Sequence, residues 1–412
     1  AVVTGQQPGF LCAPLYSLYK ALDALRLARD LTLRWERPVV ALFWNHSDDL
    51  RGGDKVSLPD RENRIREVAL PGGEEGSLRM FASVLAQALP ATEFTPALEA
   101  LLTDVHRGSI AESFSRALLR ELGRYGLVVA EPRHLEGERS ARLFADHLAD
   151  PSRLTRAVDA GRKAVTAEGF EDHLGRAVGL DLFEIVDGRR VRLEKPGPVK
   201  GRLSAGVALR PLLQDVVLPA AAYVGGPSEI GYQAELLPAY REFGIEPAVV
   251  FPRVTATLLE PKIVRTREKA GLSAADLFAD EASLAPRFVK PEDDVAGGLS
   301  KLPGRWMGEV GEALKRLPPE PSLQRAREKT EAKVREAVEA LAARVREEEL
   351  RQGASGRSQL SKLLTHVRPG GKLQERVFTP YYYAALFGPD LLPKLVESLD
   401  PFAFAHQVIS LS

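Results

Sequence analysis

Cysteine is nearly absent: the 412-residue chain holds one, Cys12. A single thiol excludes an intramolecular disulfide framework, a Cys-based zinc site and a CxxC redox pair, so any thiol chemistry concerns a substrate. Net charge is absent as well, because 56 Lys and Arg stand against 56 Asp and Glu. No global field draws nucleic acid or an anionic membrane, and partners have to be recognised locally. No apolar run approaches the ~18 residues of a membrane helix, and no basic segment leading into an apolar one opens the chain. The seven histidines are scattered without an HExxH pair. There is no GxSxG elbow either, so a zinc hydrolase and a serine triad are both disfavoured. The expectation is a soluble cytoplasmic protein. It opens at Ala1 without a methionine, directly in a strand-like run, which suggests that residues upstream have been trimmed. At ~150 residues per domain the length implies two or three domains.

What is present first is a βαβ pattern. Ala1 to Gly5 reads as a strand, and Pro14 to about Arg34 as a helix with Leu15, Leu18, Ala21, Leu22, Leu25 and Ala28 on one stripe. Pro38 to Trp44 is apolar throughout, as a strand covered on both faces should be. Ser113 to Arg124 is helical and Gly126 to Pro132 supplies another strand. Asp187-Gly188 marks a hairpin within Leu182 to Glu194. The pattern returns with a strand over Val216 to Gly226, a helix from about Ser228 to Phe243 and a strand over Pro247 to Arg253. From Gly311 the composition shifts: Leu323 to Leu350 is rich in Ala, Glu, Lys and Arg, and Val334, Val338, Leu341 and Val345 are spaced as a coiled-coil seam. A polar stretch, Arg351 to Ser358, reverses the chain into a second helix from about Gln359 to Val367. The fold class is therefore α/β: a Rossmann-like parallel-sheet core with inserted connecting segments and an α-helical coiled coil. The expected division is 1–150 for the first half of the core, 151–202 for an inserted subdomain with the hairpin, 203–310 for the second half, 311–368 for the coiled coil and 369–412 for a segment packing back on the core.

Three loops carry candidate chemistry. After the first strand, Gln6, Gln7 and Gly9 lead toward a helix with proline near its start, a place where backbone N–H groups can face an anion. The spacing matches neither GxGxxG nor a P-loop, so an ordinary βα loop is an equal reading. Tyr16 and Lys20 lie four apart on one helix face, with Lys20 either reaching an anion or snorkelling at the surface. After the second strand come Asn45, His46, Ser47, Asp48 and Asp49. The adjacent carboxylates suit a cation, an amine or several hydroxyls; a solvated turn with an aspartate helix cap is as plausible, and metal binding less so. The third cluster holds Arg210, Gln214, Asp215, Tyr223, Gly225, Gly226, Pro227 and Glu229. Its glycines allow a close ligand approach, while Arg210 and Asp215 could form no more than an ion pair at the strand entry.

The runs VVTGQQPGFLCAPLYSLYKAL, PVVALFWNHSDD, LRPLLQDVVLPAAAYVGGPSEIGYQAEL, VVFPR and GKLQERVF together resemble the bacillithiol biosynthesis cysteine-adding enzyme family, in order along nearly the whole chain. The resemblance implies a Rossmann-type core related to nucleotidyltransferase-like synthetases, a coiled coil supporting a homodimer, and a ligase joining the carboxylate of cysteine to the amine of glucosaminyl malate. An activated carboxylate is the natural route, with ATP or another nucleotide as the candidate cofactor and no metal. Carried onto this chain, Gln7, Lys20, Asp48, Asp49 and Arg210 are the catalytic candidates. Gln6, Gly9, Tyr16, Trp44, Ser47, Gln214, Asp215, Tyr223, Gly225, Gly226, Glu229 and Arg253 are the substrate-binding ones. The family's acidic loop typically continues with a histidine and a further acid, whereas Leu50 and Arg51 follow here. Cys12, just ahead of the first helix, could have a lowered thiol pKa there, although a small apolar filler is the simpler reading. Two other readings stay open: a synthetase-like enzyme for another amino acid, and a non-catalytic coiled-coil dimer scaffold.

Overall fold

The computed structural model describes residues 1–49, 55–69, 78–104, 108–175, 179–289, 294–318, 320–352, 354–388 and 391–411. Leu50 and Arg51, where the acidic loop departs from the family pattern, lie outside the described residues. The described strands are β1 (Val2–Gln6), β2 (Ala41–Asn45), β3 (Lys55–Pro59), β4 (Ile65–Ala69), β5 (Leu127–Ala130), β6 (Leu182–Val186), β7 (Arg189–Arg192), β8 (Arg202–Ala205), β9 (Ala222–Gly225), β10 (Val249–Pro252), β11 (Thr255–Leu259) and β12 (His406–Ser410).

The central sheet runs β10-β9-β1-β2-β5 with every pair parallel. β1 sits in the middle: Gly5 lies opposite Trp44 and Gln6 opposite Asn45 on one side, and Thr4 opposite Val224 on the other. Connections leave β1 toward β2 in one direction, while β9 and β10 lie in the other. This makes a topological switch point at the carboxyl ends of β1 and β9, where open α/β sheets form a ligand crevice.

The described residues fall into two compact units, 1–60 with 66–257 and 375–407, and 61–65 with 258–374 and 408–412. In the first, Val3, Leu42 and Trp44 of the sheet share one core with Leu154 and Val158 of the helix Ser152–Ala167, Leu182 of β6, Leu212, and Leu236 and Tyr240 of the helix Pro227–Phe243. Within residues 151–202, Leu154, Ala157, Val158, Leu180 and Leu182 therefore lie in the same core as the sheet. Gly161 makes this possible, since a Cβ there would stand 1.8 Å from the Glu235 carbonyl oxygen. The hairpin forms at Asp187-Gly188, both with positive φ, and β7, β6 and β8 make an antiparallel sheet.

The second unit is helical. Leu259, Ile263, Leu277, Leu284, Leu360, Leu363 and Val367 form its core. The helix Pro321–Gln352 carries the charged seam and Ala354–Val367 follows it; Val334, Val338 and Val345 are half-buried and Leu341 is exposed.

Two expectations change. Val216 to Gly226 is not one strand: Leu209–Val217 is a helix and only Ala222–Gly225 is extended. Leu209, Leu212 and Leu213 are buried at helical spacing, so VV ends a helix whose apolar face continues into the strand's run. The expected boundary near residue 310 also moves, because the units divide between Thr257 and Leu258: the chain past β11 packs into the helical core around Leu259 and Ile263.

Candidate functional site

The floor of the crevice is a buried ion pair. Lys20 projects from the helix Leu15–Trp35 under the end of β1, with Nζ 2.6 Å from the Gly5 carbonyl oxygen and 2.6 and 2.8 Å from the Glu229 carboxylate oxygens. Glu229, in the first turn after β9, also accepts from Tyr223 Oη at 2.6 Å and from the Gly226 N–H at 2.7 Å. Burial pulls the Lys20 ammonium down from its ordinary range, with Glu229 opposing. Burial pushes the Glu229 carboxyl up, but Lys20 and the hydrogen bonds outweigh it and hold the group below the usual carboxylate range. Lys20 is thus not a snorkelling lysine; its side chain is 1% exposed. Gln6 Nε2 donates to Tyr16 Oη at 2.8 Å, and the Arg253 guanidinium lies 5.3 Å from the Tyr16 ring centroid. Arg253 is itself held by Glu375 at 2.5 Å and by the Val254 carbonyl.

The acidic pair is split between arginines. Asp48 accepts from both terminal nitrogens of Arg202 on β8, and Asp49 lies 3.3 Å from Arg190 on β7 and 3.6 Å from Arg210. The cations expected of a bound amine or metal are supplied by the protein. Arg210 does not pair with Asp215: its Nη1 lies 2.9 Å from His46 Nδ1, while Asp215 accepts from Gln214, Tyr240 and the Ala248 N–H. Gln214 and Asp215 therefore tie the helix Leu209–Val217 to the chain around Tyr240 and Ala248.

These groups border a cavity of about 600 Å3, within the range of small-molecule sites. Of the candidates, Gln6, Gln7, Tyr16, Asp49, Arg210, Gly226, Glu229 and Arg253 line it. Lys20 and Tyr223 lie beneath it, bonded to Glu229. Trp44 and Asp48 face a smaller adjoining cavity, which shares His46, Asp49 and Arg210 with the first. Ser47, Gln214, Asp215, Gly9 and Gly225 line neither cavity. Gly9 serves the backbone, since a Cβ would stand 2.1 Å from the Ala13 carbonyl oxygen.

The helix after Gln6 and Gln7 does not present its amino end to the crevice. It starts at Leu15, behind a 3-10 turn over Phe10–Cys12, and the Leu15 N–H donates to the Phe378 carbonyl. Cys12 is buried, and that burial, with Glu121 nearby, pushes its thiol well above its ordinary pKa. The apolar-filler reading of Cys12 therefore holds, and its thiol is not activated.

The cavity also takes in residues that the sequence did not single out: Asp181, Phe183, Arg190, Arg192 and Arg376. Arg190 and Arg192 alternate along β7 of the Asp-Gly hairpin, so period-two reading of RRVR puts both on one face. Arg190 lies 3.6 Å from the Phe183 ring centroid and donates to the Ala205 carbonyl. Five arginines, Arg190, Arg192, Arg210, Arg253 and Arg376, thus line the cavity against the carboxylates of Asp49, Asp181 and Glu229. An excess of fixed guanidinium groups in a cleft favours anionic ligands, carboxylates and phosphates above all. Among the described residues no group of three or more His, Cys, Asp or Glu could hold a metal ion, and no helix is long and apolar enough to cross a membrane.

Comparison with known proteins accounts for both units. Residues 1–201 and 198–254 match the family described as "Bacillithiol biosynthesis BshC, N-terminal Rossmann-like domain", and residues 256–411 match its "C-terminal coiled-coil domain". The chain belongs to the BshC family. A relative from Salinibacter ruber is 31% identical over 99% of this chain and 82% of its own length. One from Koribacter versatilis is 30% identical over 97% and 81%, and one from Geobacillus kaustophilus 28% over 99% and 84%. All three carry the provisional name of cysteine ligase BshC. The family boundary between residues 254 and 256 falls within three residues of the division between the two compact units.

Proposed function

We propose that the chain is a cysteine ligase of bacillithiol biosynthesis, forming an amide between the carboxylate of cysteine and the amine of glucosaminyl malate. The observation that carries this reading is the arginine-rich cavity at the carboxyl ends of β1 and β9, in a chain of the BshC family. Both substrates are carboxylates, one in cysteine and two on the malyl group, and fixed guanidinium groups are suited to them. Amide formation has to expel a carboxylate oxygen, which is a poor leaving group as hydroxide. The carboxylate of cysteine is therefore activated first, and ATP or another nucleotide is the class of co-reactant that would take the oxygen away as phosphate or as a nucleoside monophosphate. Arg210 and Arg190, both lining the cavity, would stabilise the developing negative charge. Lys20 and Glu229 act beneath them as a buried support that fixes Tyr223 and the Gly226 turn. The helix Pro321–Gln352, with Leu341 exposed on its seam, is the surface through which the chain would form a homodimer, and the setting is the cytoplasm.

The test is direct. Purified protein is incubated with cysteine and glucosaminyl malate, with and without ATP, and products are read by mass spectrometry. A thiol product whose mass equals the two substrates less one water supports the reading. No such product under any nucleotide condition rejects it.

A further inference from the structure

His46 belongs to the cavity but has no part in the reading so far. It follows β2, its ring stands edge-on to Trp44 at 5.6 Å between centroids, and it lines both the main cavity and the smaller one beside it. Arg210 Nη1 lies 2.9 Å from its Nδ1. A guanidinium can only donate, so Nδ1 has to accept, and a neutral imidazole that accepts through Nδ1 carries its proton on Nε2. Among the described residues nothing accepts a hydrogen bond from Nε2, which faces Gly5 closely enough that a Cβ at that position would stand 2.9 Å from it.

We infer that His46 is a substrate-binding residue, held by Arg210 as the Nε2–H tautomer and donating that proton in a hydrogen bond to a substrate carboxylate oxygen. A carboxylate is the matching acceptor because Arg210 and Arg190 sit beside the ring and leave the local field positive. The same neighbours, with Lys20, add to burial in holding the imidazole well below its ordinary pKa; Asp49, paired to both arginines, is the anion on that side. The identity of the carboxylate, though not the tautomer, rests on the ligase reading above.

The experiment is 15N–1H NMR of histidine-labelled full-length protein. The protein has seven histidines, and loss of one signal in His46→Gln assigns the ring. The expected result is an Nε2–H pattern unchanged from pH 5.5 to 8, with an Nε2 signal that shifts when a carboxylate substrate is added. Separate titrations with glucosaminyl malate and with cysteine identify which one. His46→Ala should weaken binding of that substrate about tenfold, and His46→Gln, which keeps an N–H donor, should recover part of it. A proton on Nδ1, an imidazolium at pH 7, or a signal unmoved by a substrate that the protein does bind overturns the inference. If the wild type binds neither substrate, the ligase reading and the carboxylate contact fall together, while the tautomer pattern is still read from the free protein.

Discussion

Lys20 Nζ lies 2.6 and 2.8 Å from the two carboxylate oxygens of Glu229, a residue 209 positions further along the chain. The pair joins the first helix of the sheet to the turn after β9, and so sets the depth of the crevice. Removing one partner strands the other charge, and buried pairs broken in this way typically lose about 3–5 kcal/mol. Lys20→Met should therefore lower stability by an amount in that range in urea unfolding. The Lys20→Met, Glu229→Gln double variant should lose clearly less than the sum of the two single changes.

Asp23, on the same helix, accepts from the Val254 N–H, and burial pushes its carboxyl up to about 7 against the opposing Arg253 and Arg26, with Asp400 reinforcing the rise. The unfolded chain releases this proton near the ordinary value of 3.8. Between these two values the native state holds a proton that the unfolded state has lost. Its contribution is complete below the unfolded value and is lost as pH rises through the folded one, at up to about 1.4 kcal/mol per pH unit. The stability of the wild type relative to Asp23→Asn should therefore fall from pH 4 to 7 and level off above. Paired urea titrations across that range check it.

Gly161 lies in the interior of the helix Ser152–Ala167, where alanine would ordinarily gain about 0.5–1 kcal/mol. Here its Cβ would lie 1.8 Å from the Glu235 carbonyl oxygen, so the two helices have to separate. Overpacking of this kind costs about 1–3 kcal/mol. The clash outweighs the propensity gain, and Gly161→Ala should lower the thermal midpoint rather than raise it.

The parts of the fold legible in sequence are those where one physical signal acts alone. β1, β2 and the helix Leu15–Trp35 show unmixed periodicity and stand within a few residues of their expected bounds. Leu209 to Gly225 mixes two signals: an amphipathic helix is followed within four residues by a buried strand, and both are apolar, so only Pro219 marks the junction after Leu218. In the site, Gln6, Tyr16 and Glu229 are legible because they stand next to glycine turns or at helical spacing, whereas Arg253 is singled out only by the family resemblance. Arg190 and Arg192 are not legible, because a charged hairpin strand reads as solvated until a second sheet places its face against the cavity. Asp48 and Asp49 suggested a ligand cation only because their arginine partners, Arg202, Arg190 and Arg210, lie more than 140 residues away in sequence.

Asp49 restrains two of the cavity's arginines, at 3.3 and 3.6 Å. Asp49→Asn removes that negative charge and leaves the guanidinium groups available to an added anion. Binding of L-malate, used as a dicarboxylate probe, should tighten severalfold in calorimetry, and more so at low salt than at high, since unpaired charges are more strongly screened. Unchanged or weaker binding would mean that Asp49 orients the arginines rather than competes for them.

The central claim is that the arginine cavity is where cysteine and glucosaminyl malate are joined, and Arg210, in contact with both His46 and Asp49, is the side chain on which it turns. The deciding measurement is the coupling rate of wild type and Arg210→Ala under identical conditions, with product identified by mass and folding checked by thermal unfolding. The expected result is product from the wild type and a rate about 100-fold or more lower in a folded Arg210→Ala, as for loss of a group that stabilises developing charge. Equal rates in the two proteins, or no product from the wild type, would contradict it.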